Sequence, residues 1–170
     1  FRLFLDESMM YSCALYRSEG DSLEQAQHNK MQTLIEKARL GAGDHVLEIG
    51  CGWGGFALEA ARTTGCRVTG ITLSREQYAL ASRRVAMEKL EDRVTILVTD
   101  YRHVEGQFDK IVSVEMLEAV GHRYLGEFFR CCERLLKPEG LAVLQTITVA
   151  DHRYDEYRRS CDWIQKHIFP

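Results

Sequence analysis

Val46-Leu47-Glu48-Ile49 runs without a spacer into Gly50-Cys51-Gly52-Trp53-Gly54-Gly55, and a helix-forming stretch from Phe56 to Arg62 follows at once. Aliphatic and β-branched residues favour a strand, and glycines permit a backbone reversal that side chains would obstruct. A strand turning this tightly into a helix opens a βαβ unit, which points to an α/β fold with a mainly parallel sheet and helices on both faces. The alternation continues along the chain. Arg67 to Ile71, Val94 to Val98, Ile111 to Val114 and Leu141 to Val149 read as further strands. Ser22 with Gln25 reads as a capping box for a helix carrying the stripe Leu23, Ala26, Met31, Leu34, Ile35 and Ala38. Ser74 with Gln77 reads as another, for a helix through about Leu90. A helix from about Tyr124 to Leu136 is stopped by Lys137-Pro138-Glu139-Gly140, and Tyr154 to Ile168 reads as an amphipathic helix rich in Arg and aromatics.

With 170 residues, one core and one domain are expected. The 22 Lys and Arg against 25 Asp and Glu give a net charge of −3, which argues against a nucleic-acid partner. The longest run without a charged residue, Gly140 to Ala150, is far short of the ~18–20 apolar residues of a spanning helix, so no transmembrane segment is expected. Six cysteines are scattered without a CxxC pair, which fits a reducing cytoplasm and offers no metal site. The chain opens on Phe1 without a signal-peptide pattern and reads as a piece of a longer protein.

In a parallel sheet the site lies beyond the carboxyl ends of the strands, where strand order reverses. Gly50, Gly52 and Gly55 satisfy GxGxxG, but two details depart from a dinucleotide fold. Glu48 sits inside the strand just before the first glycine, and the second strand ends in Gly70-Ile71-Thr72-Leu73-Ser74 with no carboxylate for a ribose. An acid-before-glycine turn suits a cofactor bearing a positive charge and an amino group, as S-adenosylmethionine does. The bland alternative is a tight turn that holds nothing.

Further segments carry a resemblance over nearly the whole chain. They are Phe4-Leu5-Asp6 with Met9-Met10-Tyr11-Ser12-Cys13-Ala14, Asp100-Tyr101-Arg102, Phe108-Asp109-Lys110-Ile111-Val112-Ser113, Glu118-Ala119-Val120-Gly121-His122, Leu144-Gln145-Thr146-Ile147-Thr148, and Asp162-Trp163-Ile164-Gln165-Lys166 with Ile168-Phe169-Pro170. Together with the glycine turn they resemble the class I S-adenosylmethionine-dependent methyltransferases, and within them the cyclopropane-fatty-acyl-phospholipid synthases. The resemblance implies a Rossmann-like domain truncated at its carboxyl end, with a helical cover over 1–40, a core over 41–150 and a lipid-side helical segment over 151–170.

It also implies roles. Glu48, Gly50 and Gly52 contact the amino-acid part of S-adenosylmethionine, aided by Tyr11 and Ser12; Thr72 and Gln77 hold the ribose; Asp100 and Tyr101 flank the adenine. Gln77 is equally readable as a capping residue, and Asp100 as a solvated loop carboxylate. The methyl group adds to a cis double bond of an unsaturated phospholipid acyl chain, and a bicarbonate ion removes the proton that closes a cyclopropane ring. Cys13 and Ile147 through their backbones, with Glu118 and Gln145 through their side chains, fall at the bicarbonate positions. For Glu118 the alternative is an exposed helix carboxylate. Gln145 stands where the family commonly has His, and glutamine cannot carry charge or shuttle a proton. The implied location is cytoplasmic, peripheral to the inner membrane face, and a homodimer is allowed for. A small-amine N-methyltransferase and a non-catalytic cofactor-binding module are the competing readings. Arg153, Arg158, Arg159 and Lys166 either meet lipid phosphates or form a solvated helix face.

Overall fold

The structure is a computed structural model and describes residues 3–161 and Lys166. Its centre is β1 (His45–Ile49), where Val46, Leu47 and Ile49 are fully enclosed. β1 pairs in parallel with β2 (Arg67–Thr72) on one side and β4 (Phe108–Val114) on the other. β3 (Val94–Val98) and β5 (Leu136–Gln145) complete the order β3-β2-β1-β4-β5, every pairing parallel. Strands buried on both faces carry near-continuous apolar runs rather than an alternating pattern. One face packs on α1 (Leu23–Ala38), α2 (Gly55–Thr64) and α3 (Arg75–Met87), burying Val46, Val68 and Val112 with Leu34, Phe56 and Ala81. The other buries Leu47, Ile49, Ile71 and Ile111 beneath α5 (Leu125–Leu135), whose Phe128, Cys131, Cys132 and Leu135 recur at helical spacing.

Both predicted caps form, but only in half. Ser22 Oγ accepts the Gln25 N–H and Ser74 Oγ the Gln77 N–H, each at 3.2 Å. Neither glutamine side chain reaches back: Gln25 donates to Asn29, and Gln77 is drawn away toward Thr72 and Tyr11.

The ends of several elements differ from expectation. β5 stops at Gln145 instead of Val149, because its last partner is Val114 and the next residue, Glu115, leaves the strand at φ +50°. At its start β5 pairs Leu136 with Phe108 across an irregularity, so the expected stop at 137–140 lies within the strand. α3 ends at Met87, short of Leu90, where Lys89 turns left-handed at φ +56°. A short α4 (Leu117–Val120) carries Glu118 just after β4. α6 (Asp151–Tyr157) begins before Tyr154 and ends well short of Ile168; the expected Asp162–Gln165 and Ile168–Pro170 motifs lie outside the described residues.

The chain runs outward from β1 to β3, then returns past β1 to β4 and β5. Strand order therefore reverses between β1 and β4, which sets the crevice beyond Ile49 and Val114. Among the described residues no helix is long and apolar enough to cross a membrane.

Candidate active site

The turn after β1 is held by Gly50 and Cys51 N–H groups, both donating to Ile71 O at the end of β2. Gly50 and Gly52 take φ +82° and +52°. A Cβ on Gly50 would stand 3.3 Å from Met116 Sδ, and one on Gly52 3.2 Å from Tyr11 Cε1. Both positions thus combine a left-handed backbone with close approach, the two demands that select glycine. Beneath the turn, Glu48 is 2% exposed. Burial pushes its carboxyl well above the usual range, partly offset by the Ala57 N–H. Its Oε2 has no hydrogen-bond partner among the described residues. An orphaned buried carboxylate oxygen is costly and calls for an explanation, and a cationic donor from a ligand supplies one.

The segment before α1 crosses the mouth of this crevice in irregular conformation. Its backbone groups, which lack a ladder, are satisfied by side chains instead. Gln27 Nε2 donates to Met10 O and Ser12 O, and Lys30 Nζ donates to Ser12 Oγ at 2.7 Å. Arg84 donates to the carbonyls of Glu7, Ser8 and Trp53. Tyr11 is thereby laid over Gly52, and its hydroxyl accepts from Gln77 Nε2 at 3.2 Å. Thr72 Oγ1 donates to Gln77 Oε1 at 2.6 Å, so Thr72, Gln77 and Tyr11 form one polar chain along the rim. Burial raises the Tyr11 hydroxyl, and burial lowers Lys30 to about 8 despite the nearby Glu115 carboxylate.

At the tip of β4, two carboxylates anchor two clusters. Glu115 Oε1 accepts the Cys13 N–H at 2.8 Å and Gln145 Nε2 at 3.0 Å, while Gln145 Nε2 also donates to Cys13 O. Glu118 Oε1 accepts Thr146 Oγ1 at 3.0 Å and the Ile147 N–H. The four residues expected at the anion are thus brought to one end of the sheet, but as two pairs, and Glu115, which sequence reasoning missed, joins Cys13 to Gln145.

Asp100 grips Arg102 in a two-pronged pair, with Nε on Oδ1 at 2.9 Å and Nη2 on Oδ2 at 2.7 Å. The Arg102 hydrogen bonds hold the Asp100 carboxyl below its usual range. Tyr101 is 8% exposed, its ring edge-on to Phe128 with centroids 5.4 Å apart. His122 Nδ1 lies 2.6 Å from the Tyr154 hydroxyl, which ties α6 to the loop after α4. Arg158 pairs with Asp155 within α6. A groove of about 560 Å³ between the 6–8 segment and α1 to α3 contains none of the expected site residues.

Sequence reasoning also missed Gln27 and Lys30, buried on α1, for which the apolar stripe of that helix gives no signal. Glu115 had a findable signal, since it directly follows a strand that ends at the switch point.

The chain is 44% identical to the tuberculostearic acid methyltransferase UfaA1 of Mycobacterium tuberculosis, over 100% of this chain and 41% of that relative. It is likewise 44% identical to the cyclopropane-fatty-acyl-phospholipid synthase of Escherichia coli, over 100% of this chain and 42% of the relative. It therefore spans about two-fifths of the length of these relatives. Among solved structures, the mycolic acid cyclopropane synthase CmaA1 complexed with SAH and CTAB superposes with a TM-score of 0.90 at 30% identity, covering 99% of this chain and 62% of that one. The cyclopropane synthase MmaA2 of Mycobacterium tuberculosis gives 0.85 at 31% identity, covering 97% and 59%. The five-stranded sheet with helices on both faces is accordingly the Rossmann-like class I methyltransferase fold. The mycolic acid cyclopropane synthetase profile matches residues 1–170, the entire chain, and the chain belongs to that family.

Proposed function

We propose that the protein transfers a one-carbon unit from S-adenosylmethionine to the cis double bond of an unsaturated phospholipid acyl chain, giving a cyclopropane chain. The observation that carries this reading is the 44% identity, across the whole chain, to a cyclopropane-fatty-acyl-phospholipid synthase. The residues present suit the cofactor. The orphaned Glu48 Oε2 supports an acceptor for an ammonium group, and the absence of side chains on the glycine turn lets Tyr11 close over it. Thr72 and Gln77 supply hydroxyl and amide partners for a ribose. Asp100 and Tyr101 stand at the end of β3 for the adenine side, and Ser12 steadies the covering segment through Lys30.

When bound, the sulfonium supplies an activated methyl group. An alkene is a weak nucleophile, so the chain's own contribution is alignment and the exclusion of water from the cation that methyl addition leaves. The cover formed by Tyr11 to Cys13 serves both ends. Bicarbonate fits less well. Cys13 N–H and Gln145 Nε2 are turned to Glu115, and Ile147 N–H to Glu118, so the donors expected to hold an anion already hold carboxylates of the chain.

The protein acts peripherally on the inner membrane face, with 1–40 as the cover and 151–170 as the lipid-side segment. The test incubates the full-length protein with labelled S-adenosylmethionine and vesicles of unsaturated phospholipid. Fatty esters heavier by one CH2, with ring protons in the product NMR spectrum, are expected. Label found only in soluble amines, or binding without turnover, overturns the proposal.

A further inference from the structure

We infer that the carboxylate of Glu115 is the base that removes the proton from the cationic intermediate, in the place where a free anion would otherwise be held. The inference rests on the reading of the reaction given above; what it adds is the residue. Glu115 is the first residue past β4, beside the point where strand order reverses, so it faces the crevice that opens beyond the glycine turn. Its neighbour Met116 packs against Gly50, which puts the carboxylate's segment directly across from the proposed cofactor turn.

Three observations set this carboxylate apart from a surface glutamate. Its backbone is left-handed at φ +50°, a conformation unfavourable for a non-glycine residue and kept where surrounding structure enforces it. The enforcement is visible: Glu115 N–H donates to Gln145 O at 2.8 Å, while its side chain is clamped by Cys13 N–H and Gln145 Nε2. Both clamps converge on Oε1, and among the described residues no hydrogen bond reaches Oε2. One oxygen is thus fixed and the other is left to accept. Gln145, which cannot itself shuttle a proton, becomes intelligible as the residue that orients one which can.

The step balances without any further reagent. The sulfonium methyl bonds to one alkene carbon as its bond to sulfur breaks, leaving a cation on the other carbon. Glu115 Oε2 takes a proton from the transferred methyl group, and the C–H electron pair closes the three-membered ring. The carboxylic acid then returns its proton to solvent. A positioned general base contributes roughly 10²–10⁴-fold to rate.

The experiment uses the full-length protein and three preparations: wild type, Glu115→Gln and Glu115→Gly, the last compatible with a left-handed backbone. Turnover on unsaturated phospholipid vesicles is measured in buffer stripped of dissolved carbon dioxide and again with added bicarbonate. Wild-type turnover is expected to ignore bicarbonate, Glu115→Gln to lose at least about 100-fold in kcat with unchanged affinity for S-adenosylhomocysteine, and Glu115→Gly to regain turnover when bicarbonate is added. Wild-type activity that collapses on stripping and returns with bicarbonate overturns the inference, as does a Glu115→Gln variant at wild-type kcat. Titration of 13C-bicarbonate into protein loaded with S-adenosylhomocysteine decides the matter independently of turnover. Binding is expected only to Glu115→Gly, and binding to wild type overturns the inference. Absence of wild-type turnover on any unsaturated lipid is a distinct result, which sinks the proposed reaction and leaves the titration to judge Glu115.

Discussion

Glu48 carries a cost in the folded state that a stabilised core would not retain. With its carboxyl held above the ordinary 4.5 by burial, the folded protein binds more protons than the unfolded chain between pH 4.5 and the raised value. Its contribution to stability is therefore present at low pH and lost as pH rises through that window. Glu48→Gln keeps an acceptor for the Ala57 N–H and removes the titration. Urea unfolding at pH 8 is expected to show the variant more stable by on the order of 1–3 kcal/mol, with the difference vanishing below pH 4.5. Calorimetry with S-adenosylhomocysteine is expected to show affinity lower by roughly 10–100-fold, the worth of a charge-assisted hydrogen bond. Glu118 makes the opposite kind of contact, since its carboxylate is already bonded to Thr146 and to the Ile147 N–H. Glu118→Gln weakens both bonds by removing their charge, so kcat is expected to fall about tenfold while cofactor affinity stays at the wild-type value. Equal losses in both would place Glu118 at the cofactor instead.

Among the elements, the glycine turn is where local rule and site geometry coincide. Gly52→Ala forces a Cβ to 3.2 Å from the Tyr11 ring on a left-handed backbone. A loss of about 1–2 kcal/mol in thermal unfolding is expected, together with weaker cofactor binding as Tyr11 is displaced from Gln77. This turn was legible in the sequence because only glycine tolerates both constraints; β3 was legible to the residue and β1 to within one residue at its start, because both are rich in the β-branched and aliphatic side chains that favour a strand. The ends of β5 were not, since a strand extends only as far as its neighbour offers N–H and C=O groups, and β4 stops at Val114. Gln77 shows the same limit at a single side chain. The spacing from Ser74 named it as a partner in a cap, whereas Thr72 and Tyr11, distant from it in sequence or on another element, decide where its amide goes. Glu115 escaped for a related reason: its left-handed backbone and both its donors come from Gln145 and Cys13, 30 and 102 residues away.

For the molecule as a whole, the cover over the crevice is an irregular segment attached at intervals to the helices and the sheet, and Lys30 is a deeply buried, charged attachment. At 3% exposed it donates to Ser12 Oγ, and burial lowers its ammonium from the ordinary 10.5 to about 8. The folded state consequently binds fewer protons than the unfolded chain between pH 8 and 10.5, so this residue adds to stability as pH climbs through that interval and opposes folding most below it. Lys30→Met keeps the buried stem and discards both the charge and the bond to Ser12. The urea midpoint of wild type minus that of the variant is therefore expected to be flat below pH 7 and to rise between pH 8 and 10, opposite in slope to a lysine whose charge is favoured by folding. Over the same variant, hydrogen exchange is expected to quicken at Cys13 and Leu15, whose amides depend on the cover lying down, while Val46 and Leu47 in β1 stay protected. Uniform acceleration across both sets would show that the cover and the sheet unfold as one unit, and a pH-independent midpoint difference would show that Lys30 keeps its proton in water.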